Sequence, residues 1–201
     1  MEQESSNITP KDIQQIIKDV FSRYTDESYI KASMLPDLDL YVDQITTFLT
    51  QHLASTTRSE DDKIMTKTMI NNYTKNHLLP PPVKKKYSKD HILLLIFIYY
   101  FKNFLSISDI QTILAPLTEQ YFHKDNGINL EYIYSTLFSK ESTYRENYYE
   151  DILKEFEMSG DIFADAPEED QEFLREFSFI CILSLDIYIK KQLIESIIDH
   201  K

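Results

Sequence analysis

The residues best suited to a chemical role lie in one short segment, MTKTMINNYTK at residues 65–75. A helix turns by about 100° per residue, which would separate an apolar side of this segment from a polar side without acids. The apolar side comprises Met69, Ile70 and Tyr73, and the polar side comprises Thr68, Asn71, Asn72 and Lys75. Asparagine pairs with adenine, threonine contacts several base-edge groups, and lysine binds phosphate or guanine. The polar side therefore predicts a surface that contacts DNA.

A lysine triplet follows in LLPPPVKKKYS at residues 78–88. We expect Leu78 and Leu79 to lie in the core and the three prolines to stiffen the chain, which would hold Lys84–Lys86 near the end of the polar helix. Lysines in such a turn reach phosphates more readily than base edges. The candidate DNA-binding residues are Thr66, Lys67, Thr68, Asn71, Asn72, Lys75, Lys84, Lys85, Lys86 and Tyr87.

The charge of this region contrasts with that of the whole chain of 201 residues. Residues 63–102 hold eight lysines and one acid, a charge of +7, so the rest must carry −19 to give the net charge of −12. A positive patch on an acidic protein can still bind a polyanion. The count by itself favours a solvated loop with scattered lysines, whereas the acid-free polar side favours a nucleic-acid surface.

The surrounding sequence predicts helices to position these residues. Thr9, Thr66 and Ser88 are placed as N-caps, and apolar residues recur every three to four positions after Pro10, around Val42–Leu49 and in the C-terminal stretches. The segment after Ser88 is apolar on all sides, which predicts a buried helix. SISDIQTILAPL predicts a helix with Pro116 near its end. With two glycines in the chain, we expect an all-α fold with at most a minimal two-stranded wing near residues 82–87.

Three regions are expected along the chain: N-terminal helices at 1–60, a region with the candidate site at 61–120, and a C-terminal helical region at 121–201. The last helical pattern runs for about 33 residues, which is long for a globular helix and predicts a break or an oligomer contact. The 14 tyrosines and 12 phenylalanines are explained by core packing or by an effector or partner pocket between the C-terminal helices.

Enzymatic signatures are scarce. The five histidines do not follow metal-ligand spacing, the single cysteine excludes a C-x-x-C pair, and two glycines cannot form a phosphate-binding loop. The longest apolar run has ten residues, well short of the roughly 20 that span a bilayer. We expect a cytoplasmic protein that is not an enzyme, with no metal, no cofactor and no membrane partner.

The segment MTKTMINNYTKNHLLPPPVKKKYSKDHILLLIFIYYFKNFLSISDIQTIL resembles the winged helix-turn-helix of MerR-type transcription regulators. The positions that match the family pattern are Thr66, Ile70, Tyr73, Leu78, Leu79, Pro80, Tyr87, Ser88 and the SISDI segment. Asn71 replaces the family's arginine, and His77 replaces the glycine before the leucine pair. The wing is also shorter, so the lysine triplet would have to supply the phosphate contacts.

The resemblance implies a winged helix-turn-helix followed by a C-terminal helical bundle, double-stranded DNA as partner, and a homodimer that binds two half-sites. LPDLDLYVDQITTFL would then supply the first helix of the helix-turn-helix. LPDLDLYVDQ and TKTMINNYTKNHLLPPPVKKKYS are also similar to an uncharacterised bacterial family of domains of unknown function. The function expected is a sequence-specific transcriptional regulator. The alternative is a non-catalytic helical interaction module that keeps the fold without DNA binding.

Overall fold

The computed structural model describes residues 9–23, 29–59, 61–125 and 127–201, with only the backbone described at 141–143. The helices are α1 (Pro10–Arg23), α2 (Val42–Leu53), α3 (Lys67–Lys75), α4 (Lys89–Phe101), α5 (Ile107–Tyr121), α6 (Leu130–Ser139), α7 (Glu141–Ser159) and α8 (Glu168–Asp199). Two short strands are β1 (Leu40–Tyr41) and β2 (Lys86–Tyr87). The predicted all-α class is confirmed. Among the described residues, no helix has both the length and the apolarity needed to cross a membrane.

The chain forms two compact units. In the described ranges, the first unit contains residues 9–23 and 141–194, and the second contains 29–140 (apart from the gaps) together with 195–201. Each unit consists of residues that contact one another more than they contact the rest of the chain. The three regions expected from the sequence, at 1–60, 61–120 and 121–201, stay a prediction.

The first unit is built around a small aromatic and aliphatic core. Ile13 and Ile17 lie one turn apart on α1 and pack with Phe156 of α7 and Phe179 of α8. The start of α1 follows the predicted cap, because the Asp12 carboxylate accepts hydrogen bonds from the Thr9 N–H at 2.9 Å and from the Thr9 hydroxyl at 2.7 Å. The amphipathic pattern and the cap together explain where this helix begins and which face it buries.

The second unit is organised around α4, whose residues 91–99 are all buried. This uninterrupted burial confirms α4 as a core helix and follows from a sequence that is apolar on every side. Other helices of the unit contribute the buried residues Ile45, Leu49 and Leu53 from α2, Ile70 and Tyr73 from α3, Ile110 and Leu114 from α5, and Leu130 and Tyr134 from α6. The Tyr134 hydroxyl donates a 2.6 Å hydrogen bond to the Ile30 carbonyl, so this buried phenol is satisfied.

The two strands form a minimal antiparallel sheet. Leu40 pairs with Tyr87, and Tyr41 pairs with Lys86. The expected strands near residues 82–87 are thus present in part, since β2 lies there, but its partner β1 comes from the segment that precedes α2. This pairing ties the start of α2 to the end of the proline–lysine segment.

Pro116 differs from its predicted place near the end of a helix. It lies inside α5, which continues for five further residues to Tyr121. Proline removes one backbone donor but does not prevent flanking hydrogen bonds, and packing of Ile110 and Leu114 holds this helix in the core. The sequence pattern alone could not reveal this tertiary support.

Candidate nucleic-acid interface

The polar side of α3 is exposed along the whole helix. Thr66 has extended backbone angles, and its hydroxyl accepts a 3.2 Å hydrogen bond from the Met69 N–H, which confirms it as the N-cap. The exposed residues of the helix are Lys67, Thr68, Asn71, Asn72 and Lys75. None of them is acidic. The structure therefore collects five of the ten candidate residues on one solvent-facing surface, as their spacing predicted.

The opposite side of α3 fixes this surface to the core. Ile70 is fully buried and Tyr73 is nearly so, and burial raises the pKa of the Tyr73 phenol. Helix α3 also packs against α2, which follows β1. The polar face therefore lies on a helix whose other side is packed against the core.

The end of α3 is defined by a left-handed turn at His77, whose φ is +58°. The Leu78 N–H reaches back to the Tyr73 carbonyl at 2.9 Å, which closes a Schellman-type C-terminus and directs Leu78 and Leu79 into the core. Glycine is the usual residue at this position because it has no Cβ. His77 therefore occupies a glycine-like backbone conformation.

The lysine triplet lies in a β-hairpin whose loop has two residues. Val83 and Lys86 exchange both backbone hydrogen bonds, at 3.0 and 2.9 Å, and the intervening Lys84 and Lys85 have φ of +51° and +65°. Two consecutive positive φ values define the type I′ geometry that joins tightly twisted strands, for which Asn-Gly is the favoured pair. Lys84 and Lys85 are both exposed at the tip. Two charged residues thus occupy positions where the backbone disfavours them.

The last two candidate residues, Lys86 and Tyr87, are less exposed than Lys84 and Lys85. Lys86 is half-buried, and its Nζ lies 5.3 Å from the centre of the Tyr41 ring. Tyr87 is buried and packs edge-to-face on His91. Tyr87 was a candidate DNA contact, and this burial corrects that expectation for its ring, because strand pairing with Leu40 turns the side chain into the core.

The exposed lysines differ in their ionic surroundings. Lys67 lies 3.4 Å from the Asp43 carboxylate in the first turn of α2, and both side chains are exposed. In the described part of the chain, no carboxylate forms an ion pair with Lys75, Lys84 or Lys85. An exposed pair such as Lys67–Asp43 is worth little in water, so Lys67 can exchange this partner for a phosphate at small cost.

A polar cluster that the sequence analysis did not identify lies at the start of α4, directly after the hairpin. The Ser88 hydroxyl lies 2.8 Å from His91 Nδ1 and 2.9 Å from His123 Nε2, and Asp90 accepts a 2.6 Å hydrogen bond from the His123 N–H. Burial, together with the neighbouring His123, lowers the pKa of His91 to about 4. His91 is enclosed, so this serine–histidine contact serves as a cap and anchor. The Ser-x-x-His spacing at a helix start was the available signal.

The protein is mainly helical, and its second unit contains both the polar helix α3 and the lysine hairpin. The chain belongs to the family described as Domain of unknown function (DUF1836), which matches residues 30–137. This match includes α3 and the hairpin and leaves α1, α7 and α8 outside. No curated protein and no solved structure matches the chain.

Proposed function

We propose that the protein is a sequence-specific DNA-binding transcriptional regulator in which α3 reads bases and the hairpin contacts phosphates. The observation that carries this proposal is the acid-free exposed face of α3, where Thr68, Asn71 and Asn72 lie beside Lys67 and Lys75. A solvated helix would ordinarily mix acids among such residues, especially in a chain with a net charge of −12. Amides and hydroxyls on a rigid helix are suited to hydrogen bonding with base edges in the major groove.

The arrangement around α3 supports a MerR-like winged helix-turn-helix. Helix α2 packs against α3, and the hairpin closed by Val83 and Lys86 follows α3 in the chain. His77 adopts the left-handed backbone that the family's glycine would adopt at the matching position. The order of these elements supports the proposed motif, in which the lysine hairpin would take the place of a longer wing.

The working state in this proposal is a homodimer formed through α8. Eight large apolar residues of this helix within the first unit are exposed: Phe173, Phe177, Ile180, Leu185, Ile187, Tyr188, Ile189 and Leu193. At roughly 150–250 Å² per large side chain and half exposure, they leave on the order of 800 Å² uncovered, which a standard interface buries on each partner. An exposed apolar area of this size is typical of an interaction site.

The direction of α8 favours a second copy as its partner. Its first turn carries Glu168, Glu169 and Asp170, while Lys190 pairs with Asp186 of the same helix at 2.6 Å, so the argument for a second copy depends on the helix dipole and on the exposed apolar residues. Two copies of the helix that run in opposite directions would have their helix dipoles opposed favourably. A symmetric pair would present two copies of α3 to two half-sites.

A helical interaction module without DNA binding is the second candidate. The same exposed apolar residues of α8 favour it, because they could instead accept a different protein or an effector. The replacement of the family's arginine by Asn71 removes a bidentate phosphate contact and is consistent with either function. The two candidates differ in their response to duplex DNA and salt.

The decisive measurement is fluorescence anisotropy of a random-sequence duplex between about 50 and 200 mM salt, where each phosphate contact contributes about 0.9 to the logarithmic salt slope. We expect binding that weakens steeply as salt rises. A complete lack of binding at about 50 mM salt would favour the interaction module.

Base reading is tested with a duplex selected from a random pool. Asn71→Ala and Asn72→Ala should each cost about 1–3 kcal/mol at the selected site and leave nonspecific binding unchanged. The matched control is Asn147→Ala, an exposed asparagine on α7. Equal affinity of all three variants for the selected site would exclude α3 as the reading helix.

A further inference from the structure

The second unit contains a polar cleft of about 410 Å³ between the end of α4 and the segment that leads into α3. It is lined by three cationic side chains, Arg58, Lys63 and Lys102, together with Thr57, Tyr99 and Asn103. Its volume falls within the range of about 300–1,000 Å³ that is typical of small-ligand sites. The lining is suited to a small, charged ligand rather than to an apolar one.

Lys102 supplies the strongest indication of a ligand. It is half-buried, its Nζ donates a 2.6 Å hydrogen bond to the Ile64 carbonyl, and the ammonium lies 5.1 Å from the centre of the Tyr99 ring. Burial lowers the pKa of Lys102, and among the described residues no carboxylate forms an ion pair with it. A partly buried cation without a counter-charge is costly, and an anion in the cleft would offset that cost.

The single acid that lines the cleft, Asp62, leaves this cluster with a net positive charge. The Asp62 carboxylate accepts hydrogen bonds from the backbone N–H groups of Arg58 at 3.2 Å and Ser59 at 3.0 Å. It is therefore engaged by the turn that forms one wall. Three cations against one engaged carboxylate leave the cleft positive in a chain whose net charge is −12.

We propose that this cleft binds the phosphate group of a small molecule, with Lys102 at its base and Lys63 and Arg58 at its rim. Arg58 and Lys63 are exposed and can close on the phosphate oxygens, while Lys102 is held in place by Ile64 and Tyr99. A fork of arginine donors and two lysine ammonium groups match a dianionic phosphate better than a single carboxylate.

The cleft is connected to α3 through three consecutive residues. Lys102 holds the Ile64 carbonyl, Ile64 and Met65 are buried, and Thr66 caps α3. A phosphate bound to Lys102 acts on the segment that sets the position of α3, and so changes DNA affinity. This regulatory step rests on the proposed function, whereas phosphate binding itself does not. By linkage, DNA changes phosphate affinity by the same factor.

Binding is tested on the full chain by the thermal shift with inorganic phosphate and with a simple phosphate monoester, each up to about 10 mM, against chloride at equal ionic strength. We expect both to raise Tm, with a tighter effect for the ester if the cleft accepts more than the phosphate group. Lys102→Met, which retains the stem over Tyr99, and Lys63→Gln should weaken the apparent affinity at least tenfold. Lys18→Gln, an exposed lysine of α1, is the matched control.

Several outcomes overturn the proposal. The site is excluded if the parent protein shows no shift beyond chloride, or if Lys63→Gln retains the full shift even where Lys102→Met fails to fold. If Lys63→Gln, which leaves the hydrogen bond of Lys102 to Ile64 intact, weakens duplex binding without phosphate present, the cleft is a DNA contact and the small-molecule assignment is wrong. A phosphate response without any duplex binding would leave the site standing and refute the proposed function and its regulation.

Discussion

At the scale of single residues, the most constrained side chain beside the candidate interface is His91. It is buried between Tyr87 and Phe122, with edge-to-face ring contacts to each, and its Nδ1 is engaged by Ser88. Asp39 and the carbonyls of Pro80 and Pro81 favour the protonated ring, but burial and His123 outweigh them. A neutral His91 is therefore part of what holds the hairpin against α4.

We expect stability to fall with acidification because of His91. Its pKa is about 4 in the folded protein, against an ordinary value near 6.5 when unfolded. The contribution is complete above pH 6.5 and is lost as pH falls from 6.5 to 4, by on the order of 3 kcal/mol. Tm measured across this range checks the direction.

The variant His91→Gln separates this effect from general acid unfolding. Glutamine retains the capping geometry after Ser88 but does not titrate, so its Tm should change less between pH 6.5 and 4. His200→Gln, at an exposed histidine, is the control. An identical pH dependence for His91→Gln and the parent would show that His91 is not the responsible group.

His77 presents a second prediction at this scale. Its left-handed backbone is strained for a residue with a Cβ, so His77→Gly should stabilise the protein by about 0.5–1 kcal/mol, after allowing for the greater freedom of glycine in the unfolded chain. Chemical denaturation measures the change. His77→Ala retains the strain and should give no such gain; equal stability of the two variants would contradict the argument.

At the scale of elements, the hairpin combines a backbone strain with a charge. Lys84 and Lys85 occupy left-handed positions that Asn-Gly fills more comfortably. Such strain is more readily explained when the residues serve binding than when they serve folding. Replacement of the two lysines by Asn-Gly should therefore raise stability and lower DNA affinity.

The double variant Lys84→Asn, Lys85→Gly tests this opposition. We expect stability to rise by about 1 kcal/mol or more, and the logarithmic salt slope of duplex binding to fall by up to about 2 per subunit. Lys84→Gln with Lys85→Gln removes the charge but retains the strain, so it should lose the same DNA contacts without the gain in stability. Unchanged duplex binding in both variants would rule the hairpin out as a phosphate contact.

At the scale of the whole molecule, the open question is the state of association. The proposed dimer predicts a mass of twice 23.8 kDa by light scattering at micromolar concentration. Ile180→Glu combined with Ile187→Glu should shift the protein to the single-chain mass, because two buried charges in each copy would oppose contact. Leu38→Glu, at an exposed residue of the second unit, should leave the dimer intact. A single-chain mass for the parent protein would refute the dimer.

Much of the local structure follows from the sequence by itself. Thr9, Thr66 and Ser88 precede α1, α3 and α4 as predicted, and the polar face of α3 is exposed while Ile70 and Tyr73 are buried. These features depend on side-chain spacing and on capping within a few residues, which are local in the chain. The DNA-binding role of that face stays a prediction.

Only the tertiary structure decided how distant segments meet. The pairing of Leu40 with Tyr87, the contact of Ser88 with His123 and the hydrogen bond of Lys102 to Ile64 join residues separated by 47, 35 and 38 positions. Such contacts depend on how whole elements pack, so no short sequence pattern encodes them. They account for the burial of Tyr87, the lowered pKa of His91 and the cationic cleft between the end of α4 and the segment before α3, because each arises where side chains from separate elements share one desolvated environment.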